Sequence, residues 1–150
     1  MEFPHGSVVV VVEDYTSLRR ALAWRLQRGG AEVLELSDGG EVLGAVVRAR
    51  REGRPCSVLL TDIDLPTLSG VEATRLLRAH GHDFPIIWMT GGRMGPELGG
   101  AAEALGVRRV LPKPFDLADA AQAVREACTR PSFRPMPVPS SEASWLRSSR

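Results

Sequence analysis

Four widely separated positions carry residues that could share one chemistry. Glu13-Asp14 follows an apolar run, Asp62 ends another, Thr90 closes a third, and Lys113 stands between two prolines. Carboxylates crowded together repel, and they either share a proton or bind a cation. Asp14 and Asp62, with Glu13 at one remove, make an all-oxygen donor set that suits Mg²⁺ (or Mn²⁺). No histidine or cysteine is placed to make a zinc site. Beside such an ion, a carboxylate, an ammonium and a hydroxyl suit phosphoryl transfer. The metal and Lys113 neutralise the transferring oxygens, Thr90 donates a hydrogen bond, and Asp62 attacks phosphorus in line. The plainer alternative is that Asp62 merely ends a strand or caps a helix.

The elements around these residues decide between the two. Val8–Val12 is five consecutive valines, the pattern of a strand buried on both faces. Ala31–Leu36, Ser57–Thr61, Pro85–Met89 and Arg108–Leu111 read as four further strands. Helices are predicted from about Thr16 to Gly29-Gly30, through Val42–Val47, from near Ser69 to His80-Gly81, and from Leu117 to Cys128. The stretch Gly91–Gly106 holds six glycines, so a helix there is weakly encoded and expected to be mobile. Strands alternating with helices predict an α/β protein: a doubly wound, five-stranded parallel sheet with right-handed crossovers. In such a sheet the carboxyl ends of the strands share one edge, where ligands bind. Glu13-Asp14, Asp62, Thr90 and Lys113 all follow or close strands, so the fold gathers them.

Composition removes other function classes. The formal charge is +1, which gives no electrostatic case for a nucleic-acid or membrane surface. No apolar run approaches the ~20 residues that span a bilayer, and the start lacks the basic region of a signal peptide. Cys56 and Cys128 match no metal spacing and read as reduced, packed thiols of a cytoplasmic protein. Eighteen arginines accompany a single lysine, Lys113. A lone lysine in so arginine-biased a chain points to a place where a compact ammonium is needed. From Pro131 the hydrophobic period ends, and Pro131–Arg150 reads as a disordered tail with Trp145-Leu146 as its apolar anchor. The expected layout is an N-terminal extension (1–6), one domain (7–130) and that tail (131–150).

In combination, Glu13-Asp14, Asp62 followed by Leu65-Pro66 and Gly70, Thr90-Gly91, and Lys113-Pro114-Phe115 resemble a response-regulator receiver domain of two-component signalling. The resemblance covers about Ser7 to Thr129. It implies the flavodoxin-like sheet order 2-1-3-4-5, with Asp14 beside Asp62. It also implies that Asp62 accepts a phosphoryl group from a phosphohistidine on a sensor histidine kinase or a histidine phosphotransfer protein. Asp14 would bind Mg²⁺ directly, Glu13 through water, and Asp64 through its backbone carbonyl. Lys113 would pair with the phosphoryl group and Thr90 would hydrogen-bond to it, with Thr90, Val110 and Phe115 at the switch and output positions. Such a protein is not an enzyme in the turnover sense, although it catalyses its own phosphorylation and dephosphorylation. With only the tail following, the expectation is a single-domain regulator that signals by protein contact, without direct DNA binding or a membrane partner.

Three positions depart from the family pattern. Three residues before the lysine the family carries an aromatic residue whose rotation reports phosphorylation, and here stands Val110. Asp64 adds a carboxylate at the mouth of the site and is expected to alter phosphoryl lifetime. The segment after Thr90 is unusually rich in glycine. Two rival readings follow: a phosphorylation-independent adaptor, mildly favoured by Val110, and a phosphohydrolase of the haloacid-dehalogenase type, suggested by Asp62-Ile63-Asp64. The second fits poorly, because the acidic pair precedes the nucleophile and Pro66 interrupts the continuation. A flavodoxin-like cofactor binder fails on Glu13-Asp14-Tyr15, which puts carboxylates where a flavin phosphate needs amides. Trp24 lies off its helix's apolar stripe and is expected to be partly exposed, either as a docking residue or as a stray surface aromatic. Trp88 is expected in the core, and His5, His80 and His82 in solvent.

Overall fold

A computed structural model of the chain describes residues 2–129; the expected tail lies outside them. The strands are β1 (Val8–Val12), β2 (Glu32–Leu36), β3 (Val58–Asp62), β4 (Ile86–Thr90) and β5 (Arg109–Pro112). They alternate with α1 (Thr16–Arg28), α2 (Val42–Arg51), α3 (Gly70–Ala79), α4 (Pro96–Ala104) and α5 (Leu117–Thr129). All strand pairs are parallel, in the order β2-β1-β3-β4-β5. This is the doubly wound sheet that the alternation predicts and the order that the resemblance implies.

Successive side chains of a strand point to opposite faces, and β1 uses this fully. Val9 and Val11 enter the layer formed with α1 and α5, against Leu22, Leu26, Ala123 and Val124. Val10 and Val12 enter the opposite layer, with Val46 of α2, Leu77 of α3 and Trp88 of β4. All five valines are buried. At roughly 1.5–3 kcal/mol for each fully buried side chain, this anchorage fixes where Glu13-Asp14 emerge far more firmly than any loop contact does. Trp88 is fully buried, and its indole N–H donates to Thr74 Oγ1 at 2.9 Å.

Three strands run one residue further than their apolar runs predict. Asp62, Thr90 and Pro112 are the last residues of β3, β4 and β5, and Asp62 pairs in register with Met89 and Thr90 with Pro112. The ladder is made by backbone groups, so a polar side chain at the end of a strand does not stop it. Asp62 and Thr90 therefore sit on the sheet itself. β2, β3, β4 and β5 each begin one residue later than expected, at Glu32, Val58, Ile86 and Arg109.

Two loops and one terminus add features. A 3-10 turn at Gly39–Glu41 precedes α2 and packs so tightly that a Cβ on Gly39 would lie 1.9 Å from the Leu68 carbonyl oxygen. Helix α3 opens on a capping box, Ser69 accepting from the Glu72 N–H and the Glu72 carboxylate from the Ser69 N–H, both at 3.1 Å. Despite its glycines, α4 forms, with Pro96 in its first turn and Ala102 as its buried residue. In the segment set aside as an N-terminal extension, Phe3 is buried and its N–H donates to the Gly29 carbonyl at 2.7 Å. Cys56 and Cys128 are free thiols. No helix among the described residues is long and apolar enough to cross a membrane.

Candidate functional site

β1 and β3 are neighbours, so Glu13-Asp14 and Asp62 open on the same edge of the sheet. Lys113, just past β5, reaches across to both. Its Nζ lies 2.9 Å from Asp62 Oδ2 and 2.9 Å from Glu13 Oε1. The root of that side chain is fixed by its own N–H, which donates to the Thr90 carbonyl at 2.7 Å. The Lys113–Pro114 peptide is cis.

Glu13 is almost wholly buried. Its Oε2 accepts the Tyr15 N–H at 3.0 Å, and its carbonyl accepts from Arg19 Nη1 at 3.0 Å. Burial holds its pKa above the ordinary glutamate value, although Lys113 and the Tyr15 N–H both pull it down. Burial also works against the Lys113 ammonium, but its hydrogen bonds to Asp62 and Glu13 outweigh that and hold its pKa above the ordinary lysine value. Asp62 is buried too, with Oδ1 accepting the Asp64 N–H at 3.0 Å and Oδ2 on Lys113. Asp14 is exposed.

One oxygen from each of Glu13, Asp14 and Asp62 can be drawn from a group lying within 4.8 Å of one another. Against these three carboxylates stands the single ammonium of Lys113, which leaves negative charge unbalanced. The donor set is all oxygen, and a divalent hard cation fits it in charge and in chemistry. Asp64 contributes its backbone N–H to Asp62 and an exposed side chain to the wall of the cleft.

That cleft has a volume of about 690 Å³, with the carboxylates and Lys113 at its base and Tyr15, Leu18, Pro114 and Phe115 on its sides. Thr90 is adjacent and buried, and its Oγ1 accepts the Gly92 N–H at 3.0 Å. Among the described residues its hydroxyl proton goes to no acceptor, so this donor is available to a group arriving in the cleft. Phe115 stands at the mouth. Val110 does not: it packs in the opposite layer, in register with Trp88. Tyr15 and Leu18 line the cleft without being singled out by the motif spacing. Tyr15 carries a signal in following the acidic pair directly, whereas Leu18 reads as part of the apolar stripe of α1.

Gly70 serves the site by close approach. A Cβ there would lie 2.2 Å from the Asp62 carbonyl oxygen, and its N–H donates to the Ile63 carbonyl at 3.0 Å. The start of α3 thus rests against the backbone that carries Asp62.

The family model for the response regulator receiver domain matches residues 9–125. The chain is 34% identical over 115 residues to the CAI-1 autoinducer sensor kinase/phosphatase CqsS of Vibrio cholerae, a match covering 75% of this chain and 16% of that protein. It is 33% identical over 127 residues to the transcriptional regulatory protein FixJ of Azorhizobium caulinodans, covering 85% of this chain and 57% of FixJ. Each of these relatives is thus substantially longer than the matched region. Among solved structures, the chemotaxis response regulator CheY4 of Vibrio cholerae matches with a TM-score of 0.67 at 29% identity, over 79% of this chain and 98% of that one. The Francisella response regulator 1452 receiver domain matches with a TM-score of 0.71 at 19% identity, over 81% and 96%, a likeness of fold.

Proposed function

The chain belongs to the response regulator receiver family, and on that footing we propose that Asp62 accepts a phosphoryl group from a phosphohistidine of a sensor histidine kinase or a histidine phosphotransfer protein. The observation that carries this reading is the Lys113 ammonium bridging Asp62 and Glu13 at 2.9 Å each, beside the exposed carboxylate of Asp14. A structural ion pair needs one acid; here two acids hold one cation and a third carboxylate stands beside them, at the base of an open cleft.

In the proposed step a carboxylate oxygen of Asp62 bonds to phosphorus as the P–N bond to the donor imidazole breaks, and the electron pair returns to the ring nitrogen. Lys113 leaves its pairing with Asp62 to neutralise the equatorial oxygens, and Thr90 donates its spare hydroxyl proton to one of them. Asp14 and Asp62, with Glu13 through water and the Asp64 backbone carbonyl, are the groups that would hold Mg²⁺, whose bound charge lowers the repulsion between carboxylate and phosphoryl group. Water attack on the acyl phosphate later releases phosphate and resets Asp62. The signal then passes by protein contact, with Thr90 and Phe115 at the switch and output positions and Val110 in the position of the usual switch ring.

Intact mass spectrometry after incubation with Mg²⁺ and acetyl phosphate tests the reading. One added phosphoryl group is expected, absent in Asp62→Asn and absent without Mg²⁺. An unlabelled wild-type protein, under conditions that label a control receiver, would sink it.

A further inference from the structure

We propose that an arginine-lined hollow at the opposite end of the molecule binds the phosphate group of a small molecule. The hollow has a volume of about 240 Å³ and lies between the last turn of α1 and the middle of α5. Arg25 and Arg28 come from α1 and Arg125 from α5, and Phe3 and Gly29 form its base. Phe3 precedes β1 and Gly29 follows α1. The hollow therefore opens at the amino end of the sheet, away from Asp62.

The three cations have no carboxylate partner among the described residues. Arg25 and Arg125 are half-buried, which makes an uncompensated charge there costlier than on an open surface. The negative end of the α1 dipole accounts for cations at Arg25 and Arg28, but not for Arg125, which arrives from another helix. Three full positive charges outweigh the roughly half charge of that dipole, so the hollow as a whole attracts anions.

Two of its parts, the Arg28 guanidinium and the Phe3–Gly29 base, are held in place before any ligand arrives. The Arg28 guanidinium stacks over the Trp24 ring, 5.0 Å from its centroid, which restrains a flexible arm and leaves its N–H edge free. The base depends on Gly29: a Cβ there would meet the Phe3 ring at 3.0 Å. A guanidinium presents a planar fork of donors that matches the oxygens of a phosphate. The volume lies below the ~300 Å³ at which ordinary ligand pockets begin, which suits one phosphate group better than a whole nucleotide. The chain's own residues 130–150 are poor occupants, because they carry four arginines and one acid.

The test is a ¹⁵N-HSQC titration of the full chain without Mg²⁺. Inorganic phosphate and glycerol 3-phosphate are added separately, and NaCl holds the ionic strength constant. Saturable shifts at Phe3, Gly29 and Arg125, with a Kd at or below about 1 mM, support the proposal. Tighter binding of the ester identifies a phosphorylated metabolite as the ligand class, and equal binding identifies free phosphate. Arg125→Gln should weaken binding about tenfold or more, while Arg125→Lys, which keeps the charge, should restore most of it. Spectral dispersion confirms that both variants are folded. Shifts that NaCl alone reproduces, or that persist unchanged in Arg125→Gln, overturn the proposal.

Discussion

Trp88 and Thr74 tie the strand beneath the site to the helix behind it. The indole N–H donates to Thr74 Oγ1 at 2.9 Å, and that hydroxyl donates to the Gly70 carbonyl at 2.8 Å. Gly70 in turn abuts the Asp62 backbone. One buried chain of contacts therefore runs from β4 to the residue that the proposed chemistry uses. Trp88→Phe removes the donor and leaves part of a well-packed volume empty. A loss of about 2–4 kcal/mol is expected, measured by urea denaturation with an unchanged m-value.

Divalent cations should stabilise the fold through the acidic cluster. At ten times its Kd, Mg²⁺ adds about 1.4 kcal/mol, read as a rise in Tm. Asp14 is exposed and bears little on packing, so Asp14→Asn should fold normally and lose most of that rise. An equal Mg²⁺ response in both proteins would remove Asp14 from the metal site.

Two glycine-to-alanine changes should have opposite signs. Gly70→Ala places a Cβ 2.2 Å from a backbone oxygen, and the start of α3 must shift. We expect a loss of more than about 2 kcal/mol and a fall in Asp62 labelling by acetyl phosphate. Gly100, within α4, has open space where its Cβ would be. Gly100→Ala should raise stability by up to about 1 kcal/mol. Hydrogen exchange should find weak protection across Pro96–Ala104 in the wild type and stronger protection in this variant. Strong protection in the wild type would contradict a mobile α4.

Cys56 sets a pH dependence. Burial raises its thiol pKa from the ordinary 9.0 to about 12. Between those values the unfolded chain releases the proton while the folded chain keeps it. The associated stability is thus complete below pH 9 and is lost as pH rises toward 12. The expected slope is about 1.4 kcal/mol per pH unit, obtained as the difference between wild type and Cys56→Ala. Equal slopes in the two proteins would show that the thiol is not buried as described.

The sheet was legible because a parallel strand covered on both faces must be apolar along its whole length, as Val8–Val12 is. The grouping of the candidate site residues at one sheet edge was legible for a related reason: Glu13-Asp14, Asp62 and Thr90 each interrupt such a run abruptly. Features that depend on contact between distant segments were not legible. The 3-10 turn at Gly39–Glu41 is capped locally by Asp38, but the need for glycine at Gly39 comes from the Leu68 carbonyl, which leaves no room for a Cβ. Gly70 reads as a turn residue, whereas its φ is unexceptional and its need is for close approach. Phe3 has no periodic partner in its own segment, and its burial comes from the core around α1 and α5 and from the close approach of Gly29. The arginines of the hollow are invisible as a group, because Arg125 lies on a different helix from Arg25 and Arg28.

The two-faced burial of β1 has a consequence for genetics. Val9 and Val11 support one layer, Val10 and Val12 the other, and the strand hands directly over to Glu13-Asp14. A polar substitution at any of these valines would disturb core and acidic pair together. A screen for lost signalling would then recover β1 alleles alongside Asp62 alleles, and phenotype alone would not separate them. Protein abundance would: β1 alleles deplete the protein, whereas Asp62→Asn leaves it present and silent.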